Sequence, residues 1–242
     1  MAEKKEKQKC ALVTGGSRGI GRAVCIQLAK DSDYNILINY NSNKEAALET
    51  LKLVQEAGAS AEIIQFNVVD AESVKSALST WEEANPNAII EALVNNAGIT
   101  KDGLFMWMPK EDWSSVINTS LNGFFNVTNH LIQKLLVNKY GRIVNMVSVS
   151  GLKGTPGQTN YSAAKGAVIA ATKALAQEGI EDVRVLRADT VSRLYGPGND
   201  NQIPVDDIDK RALAGETVIE SFSADWGKGL VIALPMKSSE NY

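Results

Sequence analysis

Short apolar runs alternate along this chain with longer segments whose apolar residues recur at helical spacing. "CALVT" (10–14), "NILINY" (35–40), "AEIIQFNV" (61–68), "IIEALVNNAG" (89–98), "GRIVNMVSV" (141–149) and "EDVRVLRA" (181–188) read as strands. Between them, "GRAVCIQLAK" (21–30), "NKEAALETLKLVQEAG" (43–58) and "AESVKSALSTWEEA" (71–84) read as helices, as do long patterns over 111–138 and 160–178. Gly58 is placed to end the second helix. Glu111 and Asp112 fall in the first turn of the long helix, where negative charge suits the helix dipole. Continuous apolar strands separated by helices predict a parallel sheet covered on both faces. "YGPGNDNQ" (195–202) reads as a loop.

Composition narrows the partners. The chain has 242 residues, 44% of them apolar, and a net charge of −3. That length suits one α/β domain, and the charge points to neither nucleic acid nor membrane. The charged stretch at 1–8 has no apolar run behind it of signal-peptide type. No 18-residue apolar stretch occurs, so no membrane span is expected. Cys10 and Cys25 form no CxxC, so neither a disulfide nor a metal framework is expected and a reducing cytoplasm is the expected setting. A single histidine, His130, argues against a His-based metal site or a Ser-His-Asp triad.

"TGGSRGIG" (14–21) lies at the turn from the first strand into the first helix. Glycines there let the backbone approach a pyrophosphate, and the helix N-terminus offers it free N–H groups. An ordinary tight turn is the alternative. An acid ending the second strand would select NAD. Asn39, Tyr40, Asn41, Ser42 and Asn43 stand there instead. None repels a 2′-phosphate, and Arg18 and Lys44 are cations able to pair with one, so NADPH is favoured. Arg18 reads equally as a solvated turn residue.

The succession "TGGSRGIG", "NNAG" (95–98), Ser148 and "YSAAK" (161–165) resembles the short-chain dehydrogenase/reductases. The wording "NNAGITKDGLFMWM" and "GRIVNMVSVSGLKGTPGQTNYSAAKGAV" is most similar to their 3-oxoacyl-[acyl-carrier-protein] reductases. The resemblance covers about 9–178. It implies a single Rossmann-type, doubly wound domain over 9–242, with a seven-stranded parallel sheet flanked by helices on both faces. It further implies NADPH-dependent reduction of a 3-oxoacyl thioester, a possible acyl carrier protein partner, and a homodimer or homotetramer paired through the two long helices. Gly15, Ser17, Arg18, Gly19 and Ile20 would line the phosphates, Asn67 and Val68 the adenine, and Asn95, Ala97 and Gly98 the ribose. Ser148 and Tyr161 would face the substrate carbonyl, and Lys165 the nicotinamide ribose. The family's fourth residue, an asparagine that holds a water near the lysine, aligns with Ser120, flanked by Asn118 and Asn122, which point elsewhere on a helix.

The residue types explain the resemblance. Tyr161 and Lys165 are one helical turn apart, on one face. Carbonyl reduction needs a proton at oxygen, and an unperturbed phenol, with a pKa of about 10, is a weak acid. An ammonium ~5 Å away would stabilise the phenolate by on the order of 3 kcal/mol at an effective dielectric of ~20, bringing the phenol towards working pH. Ser148 can donate a hydrogen bond to the oxygen as charge develops.

Other residues carry two readings. His130, Trp81, Trp107, Trp113 and Trp226 read as packing. Met106, Trp107 and Met108 border a flexible substrate or pack in the core. Lys139 and Arg142 dock an acidic carrier or are solvated. Beyond Glu178 the resemblance fades: "RADTVSR" (187–193) stands where the family has Pro-Gly, and Pro235-Met236 where it has two glycines. The segment 189–228 reads as a divergent substrate lobe. A non-catalytic dinucleotide-binding protein, or a reductase of another small ketone or sugar, is therefore the alternative function.

Overall fold

The computed structural model describes residues 7–138 and 140–176 with their side chains, and 177, 183–187, 218–224 and 227–233 in their backbone. The strands are β1 (Gln8–Val13), β2 (Asn35–Tyr40), β3 (Ala61–Gln65), β4 (Ala88–Asn95), β5 (Arg142–Val147), β6 (Val183–Arg187), β7 (Val218–Ala224) and β8 (Gly227–Ala233). The helices are α1 (Gly19–Asp31), α2 (Lys44–Glu56), α3 (Ala71–Ala84), α4 (Lys110–Ile117), α5 (Gly123–Val137), α6 (Ser150–Lys153) and α7 (Thr159–Gln177).

The sheet order is β3-β2-β1-β4-β5-β6-β8-β7. From β3 to β6 every pairing is parallel, with Val13 opposite both Ile38 and Val94, and Asn95 opposite Asn145. The order reverses between β1 and β4, which opens a crevice at their carboxyl ends. Alternation along β1 explains the two layers. Cys10 and Leu12 face α3 and α5 through Val74, Leu78, Val127 and Leu131. Ala11 and Val13 face α1 and α2 through Val24, Leu28 and Val54. Both faces are dry, which is why the strands carry unbroken apolar runs.

The expectation of seven parallel strands is corrected. Five strands are described with their side chains, β6 continues them in parallel, and β7 and β8 are antiparallel to each other, with β8 antiparallel to β6. Only two residues separate β7 from β8. So short a connection can only return a strand antiparallel, because a parallel return needs a crossover of a dozen or more residues. The strand β1 begins at Gln8, within the charged stretch at 1–8.

The long helix is not uniform. It runs as α4, then a π-helical turn at Asn118–Asn122, then α5. Apolar periodicity reads through such a turn, so the sequence shows one helix. Pro235-Met236 and the loops at 195–202 and 187–193 lie outside the described residues, apart from Arg187 at the end of β6.

Candidate active site

The glycine turn is held by side chains of its neighbours. Gly15 and Gly19 have φ of 62° and 55°, the left-handed region that favours glycine. The Gly15 N–H donates to Asn39 Oδ1 at 3.0 Å. Thr14 Oγ1 accepts from the N–H groups of Asn96 and Ala97 at 2.9 and 3.0 Å. Asn96 Nδ2 donates to the Thr14 and Gly15 carbonyls at 2.9 and 3.2 Å. A Cβ on Gly21 would sit 2.3 Å from the Gly15 carbonyl oxygen, so only glycine lets α1 approach the turn this closely. Helix α1 has no side-chain cap and no acid in its first turn, so its N–H groups stay available to an anion.

Ser17, Arg18 and Ile20 divide their roles. The Ser17 carbonyl accepts from Arg22 Nη2 and Thr50 Oγ1, each at 2.9 Å. Arg22 also pairs with Glu49 at 2.7 Å, tying the turn to α2. Arg18 is exposed at the N-cap, and Ile20 packs on the apolar cluster under α1. Past β2, Asn41, Ser42, Asn43 and Lys44 are exposed, and Asn43 caps α2 by accepting from the Ala46 N–H at 2.9 Å.

Beyond β3, Asn67 accepts from the Val69 N–H at 3.1 Å. Val68 is buried, and its carbonyl accepts from Asn126 Nδ2 at 2.9 Å. Asn95 turns inward, donating to Thr128 Oγ1 at 3.0 Å and to Asn145 Oδ1 at 2.8 Å. Its amide nitrogen therefore braces β4 against β5 and α5, while the residue still borders the cleft.

That cleft lies at the carboxyl ends of β1, β4 and β5. Thr14, Val68, Asn95, Ala97, Ser120 and Lys165 line it, with about 10 Å³ for the centre of a water, roughly room for one. Lys165 is 4% exposed, and its ammonium donates to the Met146 carbonyl at 2.6 Å. Burial pushes its pKa down to about 8. Ser120, inside the π-helical turn, is 3% exposed, and its Oγ has no hydrogen-bond partner among the described residues. A Cβ on Gly98 would lie 3.4 Å from Ser120 Oγ and 3.6 Å from Lys165 Nζ, so both polar atoms converge over that glycine. Asn118 and Asn122 bond each other at 2.8 Å on the outer side.

Tyr161 lies one turn before Lys165 on α7, with the ammonium 5.7 Å from its ring centre. Ser148 follows β5 and hydrogen-bonds the phenol. The expected direction of the phenol's pKa is corrected. Burial raises it, Asp102 raises it further, and only the Ser148 hydrogen bond lowers it. The phenol of the chain alone is thus held protonated.

Several residues that organise the site carry no obvious chemical signal in the sequence. Thr14, Asn39, Asn96, Asn145 and Asn160 are polar groups within or beside strands and at the start of α7, four of them asparagines. Asparagine is poor in strands, and its recurrence there is the one clue available. His130 packs beside Glu82, with Nε2 3.6 Å from the carboxylate. Trp81 packs against the core, and its Nε1 donates to Glu62 at 3.1 Å. Met106 and Trp107 are 75% and 69% exposed and so do not pack in the core. The Arg142 guanidinium stacks on Tyr140 at 4.5 Å. Lys139 and Trp226 lie outside the described residues.

The family model for short chain dehydrogenases matches residues 9–189. The chain belongs to that family. As a short chain dehydrogenase it is 43% identical over 170 residues to the 3-oxoacyl-[acyl-carrier-protein] reductase FabG of Staphylococcus aureus, covering 70% of this chain and 68% of the relative. It is 42% identical over 168 residues to the 3-oxoacyl-[acyl-carrier-protein] reductase of Synechocystis, covering 69% and 67%. It is 43% identical over 172 residues to the acetoacetyl-CoA reductase of Rhizobium meliloti, covering 71% and 68%. Within this short chain dehydrogenase, no described helix is long and apolar enough to cross a membrane.

Proposed function

We propose that this chain is an NADPH-dependent reductase that converts a 3-oxoacyl thioester, carried on acyl carrier protein, to the 3-hydroxyacyl thioester. The observation that carries the reading is the meeting of Ser148, Tyr161 and Lys165 beside the cleft that the glycine turn borders. The 3-oxoacyl and acetoacetyl reductases among its relatives support the substrate class.

The residues present fit a dinucleotide. Gly19 has open space where a Cβ would stand, the first turn of α1 is uncapped, and Gly21 admits the close approach. Gly15, Ser17, Arg18, Gly19 and Ile20 would hold the phosphates. Asn67 and Val68 would border the adenine, and Asn95, Ala97 and Gly98 the ribose. Arg18 and Lys44 would face a 2′-phosphate, with no acid between Asn39 and Asn43 to oppose it. Bound nicotinamide would supply the hydride.

The protein supplies the proton. Tyr161 gives it to the carbonyl oxygen, and its raised pKa keeps it loaded before reaction. Ser148 donates to the same oxygen as negative charge grows. Lys165, anchored on Met146, holds the ribose with its remaining protons. Ser120 stands in the family's asparagine position, and its unpartnered Oγ holds a water beside Lys165 that resupplies the proton.

The free, buried Cys10 and Cys25 fit a reducing cytoplasm. Phe125 and Val137, 59% and 75% exposed on α5, fit a homodimer or homotetramer paired through that helix. The test is NADPH oxidation with acetoacetyl-carrier protein and acetoacetyl-CoA, repeated with NADH. Turnover preferring NADPH and the carrier protein supports the whole reading. Preference for acetoacetyl-CoA moves the substrate to the coenzyme thioester. NADPH binding without turnover makes the chain a non-catalytic dinucleotide binder.

A further inference from the structure

A chain of hydrogen bonds runs from the loop after β4 to the catalytic serine. Asp102 Oδ2 accepts from Gln158 Nε2 at 2.9 Å. Gln158 Oε1 accepts from Ser150 Oγ at 3.0 Å, and Ser150 Oγ accepts from Thr155 Oγ1 at 2.9 Å. The Ser150 N–H then donates to Ser148 Oγ at 3.2 Å. With that lone pair occupied, the Ser148 hydroxyl keeps its own proton free to donate. Two backbone ties run alongside. The Gly103 N–H donates to the Gly157 carbonyl at 2.8 Å, and Asn160 Nδ2 donates to the Lys101 carbonyl at 2.9 Å. Asn160 is fully buried, and its Oδ1 accepts from the Tyr161 N–H at 2.8 Å. The loop after β4 is thereby fastened to the segment that follows Ser148 and to the start of α7, which carries Tyr161.

We propose that Asp102 and Gln158 are positioning residues of this site: their strut to Ser150 holds the Ser148 hydroxyl as a donor and keeps the Asp102 charge within electrostatic reach of the Tyr161 phenol. Gln158 is suited to the middle because its amide donates to a carboxylate on one side and accepts from a hydroxyl on the other. The groups facing the phenol are Lys165 from its own helix, Asp102 from the loop after β4 and Ser148 from the end of β5. Lys101 and Asp112, either side of Asn160, pair with each other at 4.0 Å. Lys153 on α6 is exposed. Burial first, and the Asp102 charge second, keep the phenol protonated until the carbonyl oxygen needs the proton.

The proposal rests on the catalytic reading of Tyr161, so its test has one arm that needs no turnover. The first arm is the alkaline absorbance titration of the full chain, minus that of Tyr161→Phe, which isolates this phenol. In Asp102→Asn the phenol titrates at lower pH than in wild type, and the difference narrows at 1 M salt. The second arm is steady-state reduction of acetoacetyl-carrier protein. Gln158→Glu loses the donor to Asp102 and lowers kcat about tenfold with KM for NADPH unchanged. The double variant Asp102→Asn with Gln158→Glu restores an amide facing a carboxylate, and its kcat recovers. An unmoved titration in Asp102→Asn, an undiminished kcat in Gln158→Glu, or a double variant no better than Gln158→Glu overturns the proposal. A wild type without turnover overturns the functional reading instead, and the titration then decides whether the Asp102 charge acts on the phenol.

Discussion

The two halves of the cleft use polar side chains in opposite ways. Around the glycine turn, Thr14, Asn39 and Asn96 spend their hydrogen-bonding groups on backbone atoms. Around α7, Ser120 Oγ has no partner among the described residues, and Lys165 lines the cleft. The first half presents backbone and must be rigid. The second half presents side chains and must leave capacity unused for substrate and proton. A buried group without a partner is costly, so such groups persist where function needs them.

The comparison breaks most sharply at Tyr161. In Tyr161→Phe, kcat falls by about 10²–10⁴, the range of a lost general acid, while NADPH affinity measured by fluorescence changes little. The reverse is expected on the other side. Gly21→Ala forces a Cβ towards the Gly15 carbonyl, 2.3 Å away. It costs about 1–3 kcal/mol of stability and displaces the turn, so calorimetry and cofactor titration both register the change.

Ser120 sharpens the contrast. Ser120→Ala removes a buried hydroxyl that has no partner among the described residues, so urea unfolding shows stability unchanged or slightly raised. Activity falls about tenfold nonetheless if the hydroxyl holds the relay water. Ser120→Asn, restoring the family residue, retains activity.

A further test is stability against pH. Burial lowers the Lys165 pKa to about 8, from 10.5 unfolded. Between those values the unfolded chain binds the proton that the folded chain has released. The folded state therefore gains stability as pH rises through this window. Below about pH 8 both states are charged, and the full cost of burying the ammonium remains. Denaturant midpoints of wild type and Lys165→Met, compared at pH 7.5 and 10, show wild type gaining on the variant as pH rises.

Much of this was legible in the sequence because it is local. Apolar period located β2 and α3 to the residue, and the glycine turn fell where β1 meets α1. The four-residue spacing placed Tyr161 and Lys165 on one face of α7, since helix geometry alone decides that. The antiparallel β7–β8 pair was not legible, because strand direction depends on what each strand pairs with. The π-helical turn was hidden inside a continuous apolar pattern, yet it is what carries Ser120 into the cleft.

By itself, then, the sequence determined the order of elements, the glycine turn between β1 and α1 and the pairing of phenol with ammonium, all set by neighbours within a few residues. The tertiary structure alone decided which charge acts on the phenol. Asp102 lies 59 residues from Tyr161 in the chain, and only the packing of the β4 loop against α7 brings them together. Burial, which acts through every surrounding atom, likewise reversed the direction that the isolated Tyr–Lys pair implies.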